Sequence, residues 1–274
     1  MKKFLKKNWI DLVSLPIGFF IFVMPFTLIF VTSTKTAKEA FQFNFNFGEQ
    51  FLLWQNIKTV LAANNNTVVR AFINSTIITL VSVVLVILFS SMAAFIFARR
   101  PGKVTTIANI LVLAGLVVPP AIVPTIWVLQ RIHLFKTLPG LIFIEVAYSA
   151  AFSILIYKGF IASIPREIDE AAAMDGASDM TIFWKIMFPM LRPVTATVAI
   201  VNALWIWNDF LLPRLVLTKE TQTLPLSTYL FYGQYSIEYG QAMAGLVLAV
   251  LPIVIFYLVL QRQFITGISQ GAVK

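Results

Sequence analysis

The chain has 274 residues, 59% of them hydrophobic and only 12% charged. Soluble domains carry roughly a quarter charged residues, so this composition excludes an ordinary soluble globule and indicates an integral membrane protein. The formal net charge of +9 does not indicate nucleic acid, because Lys and Arg sit at the edges of apolar runs rather than interleaved with aromatics. With no cysteine, disulfides, Cys-ligated metal and thiol catalysis are excluded, and nothing follows about compartment.

In chain order, residues 1–30 combine a basic start (Lys2, Lys3, Lys6, Lys7) with a long apolar run. The run approaches the roughly 20 residues needed to cross a bilayer, which favours a retained first span over a cleaved signal. Six apolar segments follow one another, at about 12–31, 71–98, 105–130, 139–160, 193–213 and 242–260. The expected fold is an all-α integral membrane protein with six transmembrane helices and a single domain over residues 1–274. Val118-Pro119-Pro120 and Pro124 predict a kink or unwound turn in the third segment, tolerable where neighbouring helices or water satisfy the freed backbone. Ser75, Thr79 and Ser82 in the second read as contacts between helices.

Orientation follows from the basic residues. Connections holding Lys2, Lys3, Lys6, Lys7, Arg99, Arg100, Lys103, Lys158, Arg166, Lys185, Arg192, Arg262 and Lys274 carry thirteen, against eight on the other side. The richer set is assigned to the cytoplasm, together with both termini. The outer connection 32–70 is the longest. Its Phe41, Phe43, Phe45 and Phe47 alternate with polar residues, which predicts an extended strand with one apolar face. Residues 49–61 have helical spacing, and Asn64-Asn65-Asn66 reads as a turn.

No catalytic constellation is visible. His133 is the only histidine and is expected on the surface, so neither a His-based triad nor a multi-His metal site can be built. No phosphate-binding loop is present, since Gly102-Lys103 lacks both the earlier glycine and the following hydroxyl. Energy for active transport must then come from a partner or an ion gradient. The spans offer no obvious midplane titratable residue, since Glu145 and Asp209 lie near outer ends. An ion-coupled carrier is the weaker alternative.

Polarity is concentrated between the fourth and fifth segments, where residues 165–189 hold Glu167, Asp169, Glu170, Asp175 and Asp179, five of the twelve acidic residues. Pro165 suits a helix start, Gly176 breaks the helix, and Ser178 or Asp179 can cap a second one. The small residues Ala171, Ala172, Ala173, Gly176 and Ala177 would let a partner's groove approach the backbone. Glu170 and Asp175 could meet its basic groups. On the residues alone, a docking elbow and an ordinary amphipathic loop stand equally.

Glu170-Ala171-Ala172, Asp175-Gly176-Ala177, Phe183, Ile186, Pro189 and Pro193 resemble the EAA signature of ABC-importer permease subunits. Asn74-Ser75, Ala98-Arg99, Pro119, Pro124, the run Trp205-Ile206-Trp207-Asn208-Asp209-Phe210 with Pro213, and the ending Gly271-Ala272-Val273-Lys274 are similar to the carbohydrate-uptake, maltose-type branch, and to its smaller permease subunit. The resemblance implies a non-catalytic, multi-pass subunit of a bacterial or archaeal cell membrane. Its partners would be a second permease, two cytoplasmic ATPase subunits, an extracytoplasmic sugar-binding protein, an oligosaccharide and membrane lipid, without nucleic acid. ATP and magnesium would be used by the ATPase, with no cofactor or metal on this chain. Glu170, Ala171, Ala172, Asp175, Gly176 and Ala177 would couple to the ATPase, and the tail Gln270, Gly271, Ala272, Val273, Lys274 would reach it too. Asn202, Trp205, Asn208 and Asp209, placed on or beside one face of the fifth helix, are the candidate substrate pathway. A peptide, osmolyte or amino-acid cargo is the alternative within the same family.

Overall fold

The computed structural model describes residues 9–231 and 238–272. Every regular element among them is helical, as the composition requires of a chain that must satisfy its backbone inside lipid. By internal contacts, the described residues of 1–70 and 224–252 form one compact unit and those of 71–223 and 253–274 a second.

In the first unit, α1 (9–33) is helical throughout but widens to a π turn over Phe19–Val23, between Pro16 and Pro25. Its apolar rings at Phe19, Phe20 and Phe22 face outward, suited to lipid. The chain then turns sharply. Lys35 is fully buried and donates to the Asn44 backbone and side-chain oxygens, both at 2.7 Å. Asn56 Nδ2 donates to the carbonyls of Ser33 and Lys35. Glu39 closes a capping box with Thr36 and accepts from the Glu49 backbone, and these bonds, the Glu49 one foremost, hold its carboxyl below the ordinary range.

The alternating Phe41–Phe47 stretch is not a strand. Phe43 has φ +46°, and no strand exists among the described residues to pair with it. An isolated strand leaves its backbone groups without partners, so the alternation is used differently, with Phe41 and Phe43 set edge-on against Tyr239. The amphipathic helix begins at Leu53 rather than Glu49 and is cut at Ala63–Asn66, where three consecutive asparagines have positive φ. The predicted turn is therefore a sharp break between α2 (53–62) and α3 (67–99).

The second unit begins within α3, and its core is built from α3, α6 (Leu138–Ala162) and α9 (Arg192–Asn208). The third predicted segment is split into α4 (Lys103–Ala114) and α5 (Ile122–Arg131), with Gly115–Ala121 unwound around Pro119-Pro120. Polar contacts inside the apolar core fix helix register. Tyr157 OH donates to Thr195 Oγ1 at 3.1 Å, and Lys158 Nζ donates to Asn109 Oδ1 at 3.1 Å. Ser75, Thr79 and Ser82 are all buried, which brings helices close through small side chains. Between α5 and α6 the chain turns through His133, exposed with φ +59°, and Lys136.

The fifth predicted segment ends early, at Asn208. Asp209 is extended, and a separate short helix α10 (Leu211–Val216) follows. A short helix, α11 (Leu224–Ser227), precedes the last one, α12 (Tyr239–Ala272), which includes an apolar stretch long enough to span, Tyr239–Val259. By length and apolarity four helices qualify as spans among the described residues, or five with one bent pair. The split of the third segment accounts for one of the missing spans, and the early end of the fifth, at 17 residues, for the other.

Gly140 near the start of α6 has no room for a side chain, because a Cβ there would overlap the Leu134 carbonyl oxygen. Gly159 in the same helix has open space around it. Gly140→Ala is therefore expected to cost about 2 kcal/mol and lower the thermal midpoint of the purified protein, whereas Gly159→Ala leaves it unchanged or raises it.

Candidate functional site

The polar interval between α6 and α9 folds as two short helices meeting at an elbow. α7 (Glu167–Met174) carries three acids in its first turn, where the helix dipole favours them. It ends in a Schellman motif, with Ala177 N donating to Ala172 O and Gly176 N to Ala173 O. Gly176 supplies the left-handed residue at φ +81°. Ser178 then caps α8 (Asp179–Met190) by accepting from Thr181 N. α8 contains a π stretch over Ile182–Met187 and bends by 76° into α9. The bend falls where Pro193 lacks the N–H that would reach Pro189.

The elbow has an inner and an outer side. Ala172, Ile182, Phe183 and Met187 are buried in a cluster with Phe95, Tyr157, Ile161 and Ile164. Glu170, Ala171, Ala173, Asp175 and Gly176 are exposed, Ala177 is half-buried, and Ala172 packs inward. Met174 and Met180 flank the elbow and are exposed, Met174 at 88%. Sequence reasoning passed over these two methionines. Their signal was an unbranched, adaptable apolar side chain on either side of a glycine break.

The elbow is fastened to the end of α3. Arg99 Nε stands 2.5 Å from Asp169 Oδ2, with the two side chains only 7% and 16% exposed. The same guanidinium donates to the Ile164 carbonyl at 2.8 Å. A second pair, Arg100 with Asp179, is open to solvent. Arg99 was noted in the sequence only as the end of a span. Its role was hidden because its partner lies 70 positions further along the chain.

A second feature is a cavity of about 570 Å³ lined by α6, α9, α10 and the unwound third segment. Trp205, Asn208 and Asp209 line it, with Tyr148, Ser149 and Glu145 on the facing helix. Trp205 is 53% exposed and packs on Phe152, ring centroids 4.9 Å apart. Asp209 Oδ1 accepts from Leu211 N and so starts α10. Asn202 is elsewhere. It is fully buried and ties α9 to α6, donating to Ser153 Oγ at 3.0 Å and to Val198 O at 2.7 Å. The four residues do not share one helical face, because the helix ends before Asp209 and Asn202 turns toward α6. Of the tail, Val273 and Lys274 lie outside the described residues, and Gln270, Gly271 and Ala272 close α12.

Several apolar spans, a fastened elbow between two of them and a polar-lined cavity define a polytopic membrane permease. The chain belongs to the family of binding-protein-dependent transport system inner membrane components, which it matches over residues 59–270. It is 38% identical over the full length of both chains to the multiple sugar-binding transport system permease protein MsmG of Streptococcus mutans. It is 37% identical to the probable starch degradation products transport system permease protein AmyC of Thermoanaerobacterium thermosulfurigenes, covering 93% of this chain and 92% of that one. The melibiose/raffinose/stachyose import permease protein MelC of Bacillus subtilis is 34% identical, with 92% and 91% covered. The fold matches a chain of a bacterial ABC transporter involved in import of the acidic polysaccharide alginate, at TM-score 0.81 and 21% identity, covering 96% and 98%.

The two ion pairs at the elbow differ in what they stabilise. Removing one partner of the buried pair strands a desolvated charge, at a cost of about 3 kcal/mol or more. An exposed pair contributes under about 1 kcal/mol. Asp169→Asn is therefore expected to lower the thermal midpoint markedly and Asp179→Asn hardly at all. Exchanging the charges, Arg99→Asp with Asp169→Arg, is expected to recover part of the loss.

Proposed function

We propose that this chain is the smaller permease subunit of a binding-protein-dependent ABC importer of oligosaccharides. It pairs with a second permease, crosses the membrane six times with both termini in the cytoplasm, and hydrolyses nothing itself. The observation that carries the reading is the elbow. Small, exposed residues on a helix pair that is anchored by a buried ion pair make a stiff lever with a surface a partner's groove can approach closely.

Two cytoplasmic ATPase subunits would receive the elbow through Glu170, Ala171, Ala172, Asp175, Gly176 and Ala177. Asp175 and Glu170 supply negative charge for basic groups on the partner, and the exposed methionines supply adaptable apolar contact. Closure of the ATPase pair on ATP and magnesium would displace the elbow, and the displacement passes to α3 through Arg99 and to α9 through α8. The tail Gln270–Lys274 is proposed to add a second contact. An extracytoplasmic sugar-binding protein delivers the cargo, and Trp205, Asn208 and Asp209 form part of the pathway, the indole packing on sugar faces and the polar groups bonding hydroxyls. Asn202 acts in this scheme as a link between helices. The sugar permeases that resemble this chain along nearly its whole length support an oligosaccharide cargo.

The elbow is tested with the assembled transporter in proteoliposomes. Glu170→Lys and Gly176→Asp are expected to insert and assemble normally and to lose cargo-stimulated ATP hydrolysis, down to the basal rate. The Gly176 variant clashes with nothing in this chain, since no atom lies within 4 Å of its Cβ position, and acts by straining the backbone at φ +81° and by adding a charged side chain to the surface the partner would approach. Stimulation equal to that of the unmodified transporter would overturn the assignment, and uptake without any ATPase subunit would favour an ion-coupled carrier.

A further inference from the structure

The acidic side of the cavity wall is not explained by the lever. Glu145 on α6 is 6% exposed and lines the cavity. Its carboxyl hydrogen-bonds that of Asp209 across the wall, so the two share one proton and carry one negative charge between them. Ionisable side chains within a span are costly and are retained for a task. Asp209 Oδ1 is used in starting α10, but no basic side chain faces either carboxyl among the described lining residues. α6 and α9 are joined independently of them by Asn202 with Ser153, Tyr157 with Thr195 and Phe152 against Trp205.

We infer that Glu145 and Asp209 form a charge filter that admits uncharged, hydroxyl-rich solutes and turns away acidic sugars. The inference rests on the cavity being part of the transport pathway. An uncharged sugar brings O–H donors to a carboxyl pair that keeps acceptor lone pairs to spare, beside an exposed indole and the amide of Asn208. An anionic sugar brings acceptors and like charge. No Lys or Arg is among the described lining residues to receive it. Arg214, the basic residue of α10, is instead stacked over Phe210, 5.7 Å from the ring centroid, and does not line the cavity. A sugar carboxylate entering here would lose its hydration with no countercharge in return.

The cysteine-free chain allows a test that does not depend on knowing the cargo. Leu211 lines the cavity and is 52% exposed. In the assembled transporter, Leu211→Cys is reacted with methanethiosulfonate reagents of equal size, one bearing trimethylammonium and the other sulfonate. Asn46→Cys, exposed in the outer connection, is the reference. The cationic-to-anionic rate ratio at Leu211→Cys is expected to exceed the reference by at least about tenfold, as in a cleft lined by one sign of charge. Adding Glu145→Gln and Asp209→Asn is expected to bring it back to the reference. A ratio equal to the reference, one unmoved by the two amides, or no reaction with either reagent overturns the filter. The modified protein is also assayed for sugar uptake. Uptake untouched by the attached group shows that the cavity is off the pathway, and the filter falls with it. Cargo-stimulated ATP hydrolysis measured on the unmodified transporter reports on the lever independently.

Discussion

One buried ion pair decides whether the elbow is a lever or a loose loop. Arg99 and Asp169 lie 2.5 Å apart, nearly out of solvent, and Arg99 also holds the carbonyl of Ile164. Withdrawing two charges from water is expensive, and a pair of this kind adds little net stability over an apolar contact. What it does is fix geometry, because neither charge can leave the other without a large penalty. With α7 held against the end of α3, Ala172 is pressed into the core while its small neighbours face outward. In the proposed scheme, a push on those neighbours would be delivered to α3, a helix long and apolar enough to cross the membrane.

The remainder of the second unit is consistent with that demand. α8 is seated by Ile182, Phe183 and Met187 and continues through a proline-directed bend into α9. α9 is registered on α6 by Asn202 with Ser153 and by Tyr157 with Thr195. Hydrogen bonds in an apolar interior are few and specific, so they set which side of each helix faces the cavity. In the proposed scheme, a rigid elbow and a registered helix pair would together bring motion from one end of α9 to Trp205, Asn208 and Asp209 near the other.

Much of this was legible in the sequence where local chemistry determines the outcome. The αL glycine at 176, the serine cap at 178, the asparagine break at 64–66 and the unwinding at Pro119-Pro120 each depend on a residue's own backbone preference. Apolar length located the well-formed spans for the same reason. What was not legible depended on partners distant in the chain. The alternation at Phe41–Phe47 matches a strand, but its rings pack on Tyr239. Glu145 reads as a stray acid near a helix end until Asp209 is brought to it. Asn202 reads as a pathway residue until Ser153 occupies its amide. Asp169 is one acid among five until Arg99 singles it out.

The central claim is physical contact between the elbow and a nucleotide-hydrolysing subunit. It is tested most directly by placing a photo-crosslinking residue at Met174, 88% exposed on the elbow, and irradiating the transporter in its native membrane. The account predicts a covalent adduct with the ATPase subunit, its yield changing with bound ATP. Adducts with lipid alone, or none with the ATPase in either nucleotide state, would contradict it.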